Sequence, residues 1–499
     1  MLAKKNNGWM QVVHLVIGIF FLFFAGNLIS PIYPLTPVGM QIMGLFIGVI
    51  WLWCFVGFLW PSLLALVAFG LTDFVYATGM TMNPMQRVLQ LSFGNHVAIL
   101  LLFSMILFGA PEVTGATKYI TRWFLTRKVY DGKPIVFAFV FFFATYALSV
   151  AVNVTPALLL MWGVLYGILT DLGYKKGEKF TSLMIVGTFL GAISGQASLP
   201  FSGSTLAILS VFEQSATDMS GYIVTIPALQ YILLGFIFSV LVFICYCIFM
   251  KIVLKQEDLT KVKSVNAQMF TNDEMPPMNL IQKVNFAGMF VFIILLLAPS
   301  VFPDSWWIMQ QLNTLGPAGI GILITAVMII VRVQGEPALD FAKVVRQCVN
   351  WDIFVMVAAA LAIAGALTHE ATGVIAGMEL LFTPLLGGHS PLVFFVIMLL
   401  FGMFVTSFAS SMVIGIALMP ILVTFGLSSG ANLGAVASTT TLLIHYSIIL
   451  PSASVFAAML WSNEEWIKPK DVFKTGALIV AIALVIAVVV IMPLANNLF

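Results

Sequence analysis

Polar residues interrupt the long apolar stretches of this chain at two short turn sequences. The first is Asn153-Val154-Thr155-Pro156, and the second is Ser410-Ser411. Asn, Ser and Thr accept hydrogen bonds from the free N–H groups at a helix start, and Pro suits the first helical turn because its missing N–H costs nothing there. We therefore expect one helix to end near Val152 and another to begin at Pro156, with a similar break at Ser410-Ser411.

Two further interruptions are richer in Gly, Ser and Pro. One covers residues 194–205, SGQASLPFSGST, and the other covers residues 450–454, LPSAS. Sequences of this kind do not form a regular helix interior. Each predicts two half-helices joined by an unwound segment.

These four breaks have the chemistry to bind a small anion together with a cation. Residues 134–170, 180–212 and 380–463 contain no Lys or Arg. Positive potential must then come from helix N-termini, each equivalent to about half an elementary charge, and from a bound cation. The candidate anion contacts are Asn153, Thr155, Ser202, Ser410, Ser411, Pro451 and Ser452. The candidate cation ligands are Ser149, Asn153, Ser194, Gly195 and Ser411. The alternative for any single Ser or Gly is that it lets membrane helices pack closely.

His445 lies in an apolar stretch just before the LPSAS break. An ionisable residue inside a membrane is a functional candidate by default, here for a proton relay or an anion contact, and a hydrogen-bonded structural role is the alternative. The four cysteines form no CxxC pair. We expect no disulfide, no metal site other than one for sodium, no organic cofactor, and no nucleophile–base pair of an enzyme.

The composition places all of these residues in a membrane protein. The chain has 499 residues, of which 61% are hydrophobic and 8% charged, and its mean hydropathy is +1.08. This predicts an all-α polytopic protein of about 11 spans surrounded by lipid. It has no basic domain suited to nucleic acid.

The basic residues predict which ends face the cytoplasm. Lys and Arg flank both ends of residues 135–170, which indicates a re-entrant helical hairpin from the cytoplasm rather than the alternative, a kinked transmembrane helix. Neither flank of residues 391–427 is basic, which fits a second hairpin from outside. Lys4 and Lys5 place the N-terminus in the cytoplasm, and the last span then ends outside.

An internal repeat connects the two hairpins. Glu112-Val-Thr-Gly115 reappears as Glu370-Ala-Thr-Gly373, and the same offset carries Asn153 onto Ser411. By the loop charges the two copies run in opposite directions, as in transporters with inverted repeats and broken helices. The predicted units are scaffold helices in 1–95, a transport repeat in 96–250 (hairpin 135–170, broken helix 181–210), a cytoplasmic linker in 251–283, scaffold helices in 284–346, and a second transport repeat in 347–499 (hairpin 391–427, broken helix 435–461).

This pattern resembles the divalent anion:sodium symporter family within the ion transporter superfamily. The resemblance rests on the two hairpins, the two broken helices and the closing segment WIKPKDVFKTG at residues 466–476. The Ser-Asn-Thr of that family's hairpin tips is kept only as Asn153 in Val152-Asn153-Val154 and as a Ser in Ser410-Ser411-Met412. The resemblance implies a homodimeric carrier of di- or tricarboxylates or sulfate in the plasma membrane, driven by sodium.

The function predicted is sodium-coupled symport of a small anion, most simply a dicarboxylate, by alternating access. The altered tips leave open a proton-coupled carrier, with His445 as the relay, or an anion exchanger. An ion channel would need a ring of acidic or basic residues along a continuous pore, and no such ring is visible in the sequence.

Overall fold

The computed structural model of the protein describes residues 8–265, 267–270, 276–303 and 305–499. Lys4, Lys5 and part of the predicted linker lie outside the described residues.

The first half of the described chain consists of helices joined by short turns. They are α1 (Gly8–Phe20), α2 (Gly26–Leu28), α3 (Pro37–Phe55), α4 (Leu59–Gly70), α5 (Phe74–Ala77), α6 (Pro84–Leu91), α7 (His96–Val113), α8 (Thr117–Leu125), α9 (Pro134–Ala151), α10 (Val154–Asp171), α11 (Lys179–Ser198), α12 (Gly203–Ser220), α13 (Ala228–Val253) and α14 (Gln256–Thr260). A π-helical turn, Phe21–Ala25, joins α1 to α2, and 3₁₀ turns form at Lys128–Tyr130, Lys261–Ser264 and Ala267–Phe270.

The second half continues in the same way. Its helices are α15 (Leu280–Leu297), α16 (Trp307–Ile330), α17 (Phe341–Cys348), α18 (Trp351–Thr368), α19 (Val374–Leu386), α20 (Pro391–Phe408), α21 (Ser411–Ser429), α22 (Leu433–Ile444), α23 (Val455–Trp461), α24 (Pro469–Ile486) and α25 (Met492–Leu498). Short 3₁₀ turns lie at Ala298–Ser300, Glu370–Thr372 and Pro451–Ala453, and a π turn lies at Ala487–Ile491. Strands β1 (Arg332–Val333) and β2 (Glu336–Pro337) form one small antiparallel hairpin.

The predicted fold class, an all-α polytopic membrane protein, is confirmed. Thirteen helices of the described chain are long and apolar enough to cross a membrane. Four of them form two consecutive pairs, α9 with α10 and α20 with α21, while α4 and α22 are shorter apolar helices. That these two pairs are re-entrant hairpins, and that the chain has about 11 spans as a result, remains a prediction.

The elements have the same order in both halves. A long helix and a shorter one (α7, α8) precede the pair α9–α10, the broken helix α11–α12 and the span α13. The same order recurs as α18, α19, α20–α21, α22–α23 and α24. Gly115 and Gly373, at corresponding turns, have φ values of 70° and 65°, a conformation that glycine adopts without the steric cost of a side chain. The inverted orientation of the halves and the division into scaffold and transport units stay predictions.

The first predicted turn is found close to its expected place. Helix α9 ends at Ala151, and α10 starts at Val154 rather than at Pro156. Asn153 is the N-cap, and its Oδ1 accepts a hydrogen bond from the Val154 N–H at 2.7 Å. Pro156 falls in the first turn, where its missing N–H is still harmless.

The first broken helix has a shorter break than predicted, Leu199–Ser202 instead of residues 194–205. Helix α11 persists to Ser198, and within it the Ser194 and Ser198 hydroxyls donate to the carbonyl oxygens of Leu190 and Ser194, at 2.7 and 2.8 Å, so that these polar side chains are satisfied inside the helix. At Gly195 a Cβ would lie 2.6 Å from the Tyr146 carbonyl oxygen, so this glycine lets α11 approach α9 closely. Small residues at a close helix contact fit the packing alternative given above.

The second broken helix has a longer break than predicted. Helix α22 ends at Ile444, and an irregular segment follows through His445 to Leu450 before the 3₁₀ turn and α23. His445 therefore lies in the break and not in the helix before it.

The interior of the protein is built around the first broken helix. Every residue from Phe180 to Ser198 of α11 is buried. Helix α11 packs against α9, α10 and α13, whereas α12 packs against α18, α21 and α22. The breaks of both halves are thus brought to one region.

Candidate functional site

A cavity of about 330 Å³ lies where the four breaks meet. The tip of α9–α10 contributes Asn153, and the tip of α20–α21 contributes Ser410 and Ser411. The two broken helices contribute residues 199, 201–204, 445 and 454–456. Residues from α7, α17 and α18 complete the wall. Four sequence segments that are distant along the chain therefore line one cavity.

Several helices begin at the wall of this cavity. The first residues or N-caps of α10, α12, α18, α21 and α23 all belong to the lining. Ser202 and Ser410, the N-caps of α12 and α21, make no capping hydrogen bond with their side chains. The first-turn N–H groups of those two helices are therefore not occupied by their own N-cap, and such groups favour anions.

Five of the seven predicted anion contacts line the cavity: Asn153, Thr155, Ser202, Ser410 and Ser411. Asn153 is exposed within it, and Ser411 is only 8% exposed. Pro451 and Ser452 are not in the lining, which is formed by Ser454 instead. Ser454 follows the 3₁₀ turn at Pro451–Ala453 and is the N-cap of α23.

The predicted cation ligands divide into two groups. Ser149, Asn153 and Ser411 line the cavity. The Ser149 hydroxyl donates to the Ala192 carbonyl oxygen at 2.6 Å, which leaves its oxygen lone pairs free to accept. Ser194 and Gly195 are not in the lining. Ser194 is fully buried and shares a 2.8 Å hydrogen bond with the Tyr446 hydroxyl, so that its contacts are those of a packing residue.

His445 lines the cavity and is hydrogen-bonded through both ring nitrogens. Its Nδ1 lies 2.7 Å from the Thr441 carbonyl oxygen. Its Nε2 lies 3.0 Å from Ser204 Oγ and 3.4 Å from Thr205 Oγ1. The ring is thus fixed between the end of α22 and the start of α12.

The cavity wall includes two acidic side chains. Among the described residues that line it, Glu112 and Asp352 are acidic and none is Lys or Arg. An anion in this space is therefore opposed by two carboxylates and favoured by helix N-termini. That balance requires a cation nearby if a multiply charged anion is to bind.

Sequence reasoning missed several lining residues. Glu112 and Asp352 lie at the ends of apolar stretches, where an interfacial position is the usual interpretation, and Asn350 caps α18 by accepting from the Ile353 N–H at 3.1 Å. Gln196 and Ser204 fall inside the Gly- and Ser-rich segment 194–205. The composition of this segment predicts a break in the helix, but it does not predict which of the side chains face the cavity.

Cys348, next to Gly109 in the wall, is a half-buried thiol at the end of α17, outside the membrane-spanning helices. Burial, together with the nearby Glu112 carboxylate, raises its pKa to about 12. Its Sγ lies 3.5 Å from the Gly109 carbonyl oxygen. Within the described residues, no cluster of three or more His, Cys, Asp or Glu side chains could hold a metal ion.

Comparison with known proteins gives two similarities. The sequence profile of a family described as citrate transporter (CitMHS) matches residues 46–444. Among solved structures, MtrF of Neisseria gonorrhoeae, described with a class of antimetabolite efflux pumps, shares 15% sequence identity over 83% of this chain and 85% of its own, with a TM-score of 0.54. At that identity the similarity shows a shared fold. The curated proteins give no match.

Proposed function

The chain belongs to the citrate transporter (CitMHS) family, and from this premise we propose that it carries citrate-type carboxylates across the membrane by alternating access. Family membership agrees with the resemblance to di- and tricarboxylate carriers described above. It makes the chain a transporter of anions and gives no reason to look for an enzyme activity.

The observation that carries this proposal is the convergence of helix N-termini on a cavity whose described lining contains no Lys or Arg. Helices α10, α12 and α21 have 18, 18 and 19 residues, long enough for a full helix dipole. Three termini give on the order of one and a half elementary charges. Ser410 and Ser411 add hydroxyl donors and Asn153 adds an amide, whereas the Ser202 hydroxyl already donates to the backbone carbonyl oxygen of Gln196 at 2.8 Å. A carboxylate can thus be bound by dipoles that release it more readily than a fixed Lys or Arg would.

Sodium is the coupling ion in the first form of this proposal. A citrate-type anion with two or three charges exceeds what the termini offset, and the wall adds the carboxylates of Glu112 and Asp352. Ser149, Asn153 and Ser411 bring oxygen atoms to the same space, and oxygen is the ligand that hard cations prefer. Binding of the cation and of the anion would then support each other.

Proton coupling is the second form, and the position of His445 favours it. The ring lines the cavity and contacts the start of α12. With an unperturbed pKa near roughly 6.5, histidine is the side chain suited to carrying a proton near neutral pH. Electroneutral anion exchange, without either cation, is the remaining alternative.

Uptake of radiolabelled citrate into proteoliposomes separates these forms. Sodium coupling predicts uptake that rises with external sodium at fixed pH and survives His445→Gln. Proton coupling predicts uptake driven by an inward pH gradient without sodium and lost in that variant. Uptake indifferent to both gradients but stimulated by internal unlabelled citrate indicates exchange. Flux without saturation or counterflow would contradict a carrier and favour a channel, and absence of any citrate flux or binding would contradict the proposed substrate.

The proposal includes the topology and assembly expected above. The protein would lie in the plasma membrane with a cytoplasmic N-terminus and an external C-terminus, as a homodimer. The least buried candidate spans are α1, α15 and α16, which makes them the available faces for lipid or for a second copy. Light scattering of the detergent-solubilised protein measures the oligomeric state, and the mass of a monomer would contradict the proposed homodimer.

A further inference from the structure

A chain of hydrogen bonds joins the two broken helices at the cavity wall. The amide Nε2 of Gln196 in α11 lies 2.9 Å from Ser204 Oγ in α12. Ser204 Oγ lies 3.0 Å from His445 Nε2, and His445 Nδ1 lies 2.7 Å from the Thr441 carbonyl oxygen. All three side chains belong to the lining of the cavity.

The direction of this chain follows from its last member. A carbonyl oxygen only accepts, so His445 Nδ1 carries a proton. In the neutral ring Nε2 is then an acceptor, and the Ser204 hydroxyl donates to it. With its proton used in this way, Ser204 Oγ accepts from the Gln196 amide N–H. Thr205 does not compete with Ser204 as the donor to His445 Nε2, because the Thr205 hydroxyl donates to the backbone carbonyl oxygen of Gln196 at 3.1 Å.

A proton added to His445 reverses the donor and acceptor roles along this chain of hydrogen bonds. Nε2 becomes a donor, and Ser204 Oγ at 3.0 Å is a nearer acceptor for it than Thr205 Oγ1 at 3.4 Å. The Ser204 hydroxyl then no longer donates to His445, and its O–H is free to turn elsewhere. It either points into the cavity or goes to Oε1 of a rotated Gln196, whose NH₂ group then turns to the cavity. In both cases the cavity wall gains one hydrogen-bond donor that can bind a carboxylate oxygen.

We propose that Ser204 and Gln196 determine the affinity for the anion, and that the protonation state of His445 sets their donor pattern. Gln196 and Ser204 are positioning and binding groups, and His445 acts through them. The proposal rests on the proposed function, since it takes the ligand to be a carboxylate. Because coupling between two binding events is reciprocal, bound anion must favour protonated His445 by the same factor as the proton favours the anion.

Other titratable groups near this chain are few in the described part of the protein. Glu112, Asp352 and Cys348 reach the cavity from α7, α18 and α17. Helix α22 and the helices α20, α21 and α25 that pack against it carry no ionisable side chain.

The other helices in contact contribute residues that are further away or already paired. Lys179 is at the opposite end of α11 from Gln196. Along α12, Glu213 accepts from the Ile226 N–H at 2.7 Å and Asp218 from the Thr368 hydroxyl at 3.0 Å. Tyr446, beside His445 in sequence, is bonded to Ser194. His445 is thus the titratable group that forms a hydrogen bond with Ser204 directly.

The first experiment tests the hydrogen-bond chain without substrate. In the protein labelled with ¹⁵N-histidine, the His445 signals are assigned by their loss in His445→Gln, and the spectra are followed through a pH titration. The neutral ring should be the Nδ1–H tautomer, and Ser204→Ala should displace its titration midpoint. A neutral Nε2–H tautomer, or a midpoint unmoved by Ser204→Ala, would overturn the proposal.

The second experiment measures citrate affinity by calorimetry above and below that midpoint. Citrate itself titrates, so the measured quantity is the ratio of the dissociation constants of variant and wild type at each pH. One charge-assisted hydrogen bond corresponds to about tenfold in affinity. Ser204→Ala should therefore weaken binding about tenfold below the midpoint and much less above it, and Ser204→Thr, which restores a hydroxyl, should recover most of the loss.

Ser215→Ala is the matched control, because Ser215 is a fully buried serine of the same helix whose hydroxyl has no partner and does not line the cavity. The ratio of the citrate dissociation constants of Ser215→Ala and the wild type should not change with pH. A ratio for Ser204→Ala that is equal at all pH values contradicts the switch while leaving citrate transport intact. If the wild type binds no citrate at any pH, the proposed function fails instead, and the tautomer measurement still decides the hydrogen-bond chain.

Discussion

Substitution of Asn153 separates two roles that the structure combines in one side chain. Asn153 caps α10 through the 2.7 Å hydrogen bond from the Val154 N–H, and it is exposed in the cavity. Asp caps a helix as well as Asn does, whereas Ala does not. Asn153→Asp therefore keeps the cap and adds a negative charge at the site, while Asn153→Ala removes both the cap and the amide.

The two variants should fall in opposite orders for stability and for affinity. Loss of the cap in Asn153→Ala should cost about 1 kcal/mol of stability. Loss of a hydrogen bond to a charged ligand, worth about 1.5–3 kcal/mol, should weaken citrate binding about tenfold to a hundredfold. In Asn153→Asp, a like charge about 4 Å away costs about 4 kcal/mol at an effective dielectric constant of about 20. Binding should weaken about a thousandfold while stability is unchanged.

Thermal unfolding and calorimetric titration with citrate in detergent measure the two quantities. Asn279→Ala is the control, because Asn279 caps α15 by the same kind of bond, to the Gln282 N–H at 2.9 Å, and does not line the cavity. It should lose stability and keep its affinity. Wild-type affinity in Asn153→Asp would refute the placement of the anion at the start of α10. A lower sodium requirement in that variant would instead assign Asn153 to the cation.

Three further outcomes are expected. Gly195→Ala should destabilise the protein by roughly 1–3 kcal/mol through overpacking, because the new Cβ would lie 2.6 Å from the Tyr146 carbonyl oxygen; thermal unfolding measures this, and an unchanged midpoint would contradict the close approach of α9 and α11. Because burial raises the pKa of the Cys348 thiol to about 12, its reaction with a maleimide should keep accelerating as pH rises above the ordinary range for cysteine, and citrate should slow it; a rate that levels off near pH ~8.5, or one indifferent to citrate, is the contrary result. Single cysteines at Asp131 and Lys175 in a cysteine-free background should label from the same side of the membrane, and labelling from opposite sides would replace the hairpin with crossing helices.

Much of the fold can be predicted from sequence because its signals are local. The absence of charge over residues 380–463 and the mean hydropathy identify membrane helices without reference to any partner. A helix end is decided within one turn by capping residues, so the turn at Asn153 is predicted to within two residues. The ends near Ser194 and Leu450 are predicted less well. There, α11 continues to Ser198, while α22 stops early at Ile444.

The sequence alone thus determined that this is a helical membrane protein with four polar breaks, and it drew attention to Asn153, Ser202, Ser410, Ser411 and His445. Only the tertiary structure decided that these breaks share one cavity, that Ser454 lines it whereas Pro451 and Ser452 do not, and that Ser194 and Gly195 lie outside its lining. It also decided that Glu112 and Asp352 face the site and that Ser204 connects Gln196 to His445. The reason is physical: composition and capping act on the backbone over a few residues, whereas the partner of a side chain depends on which helix face is packed against it.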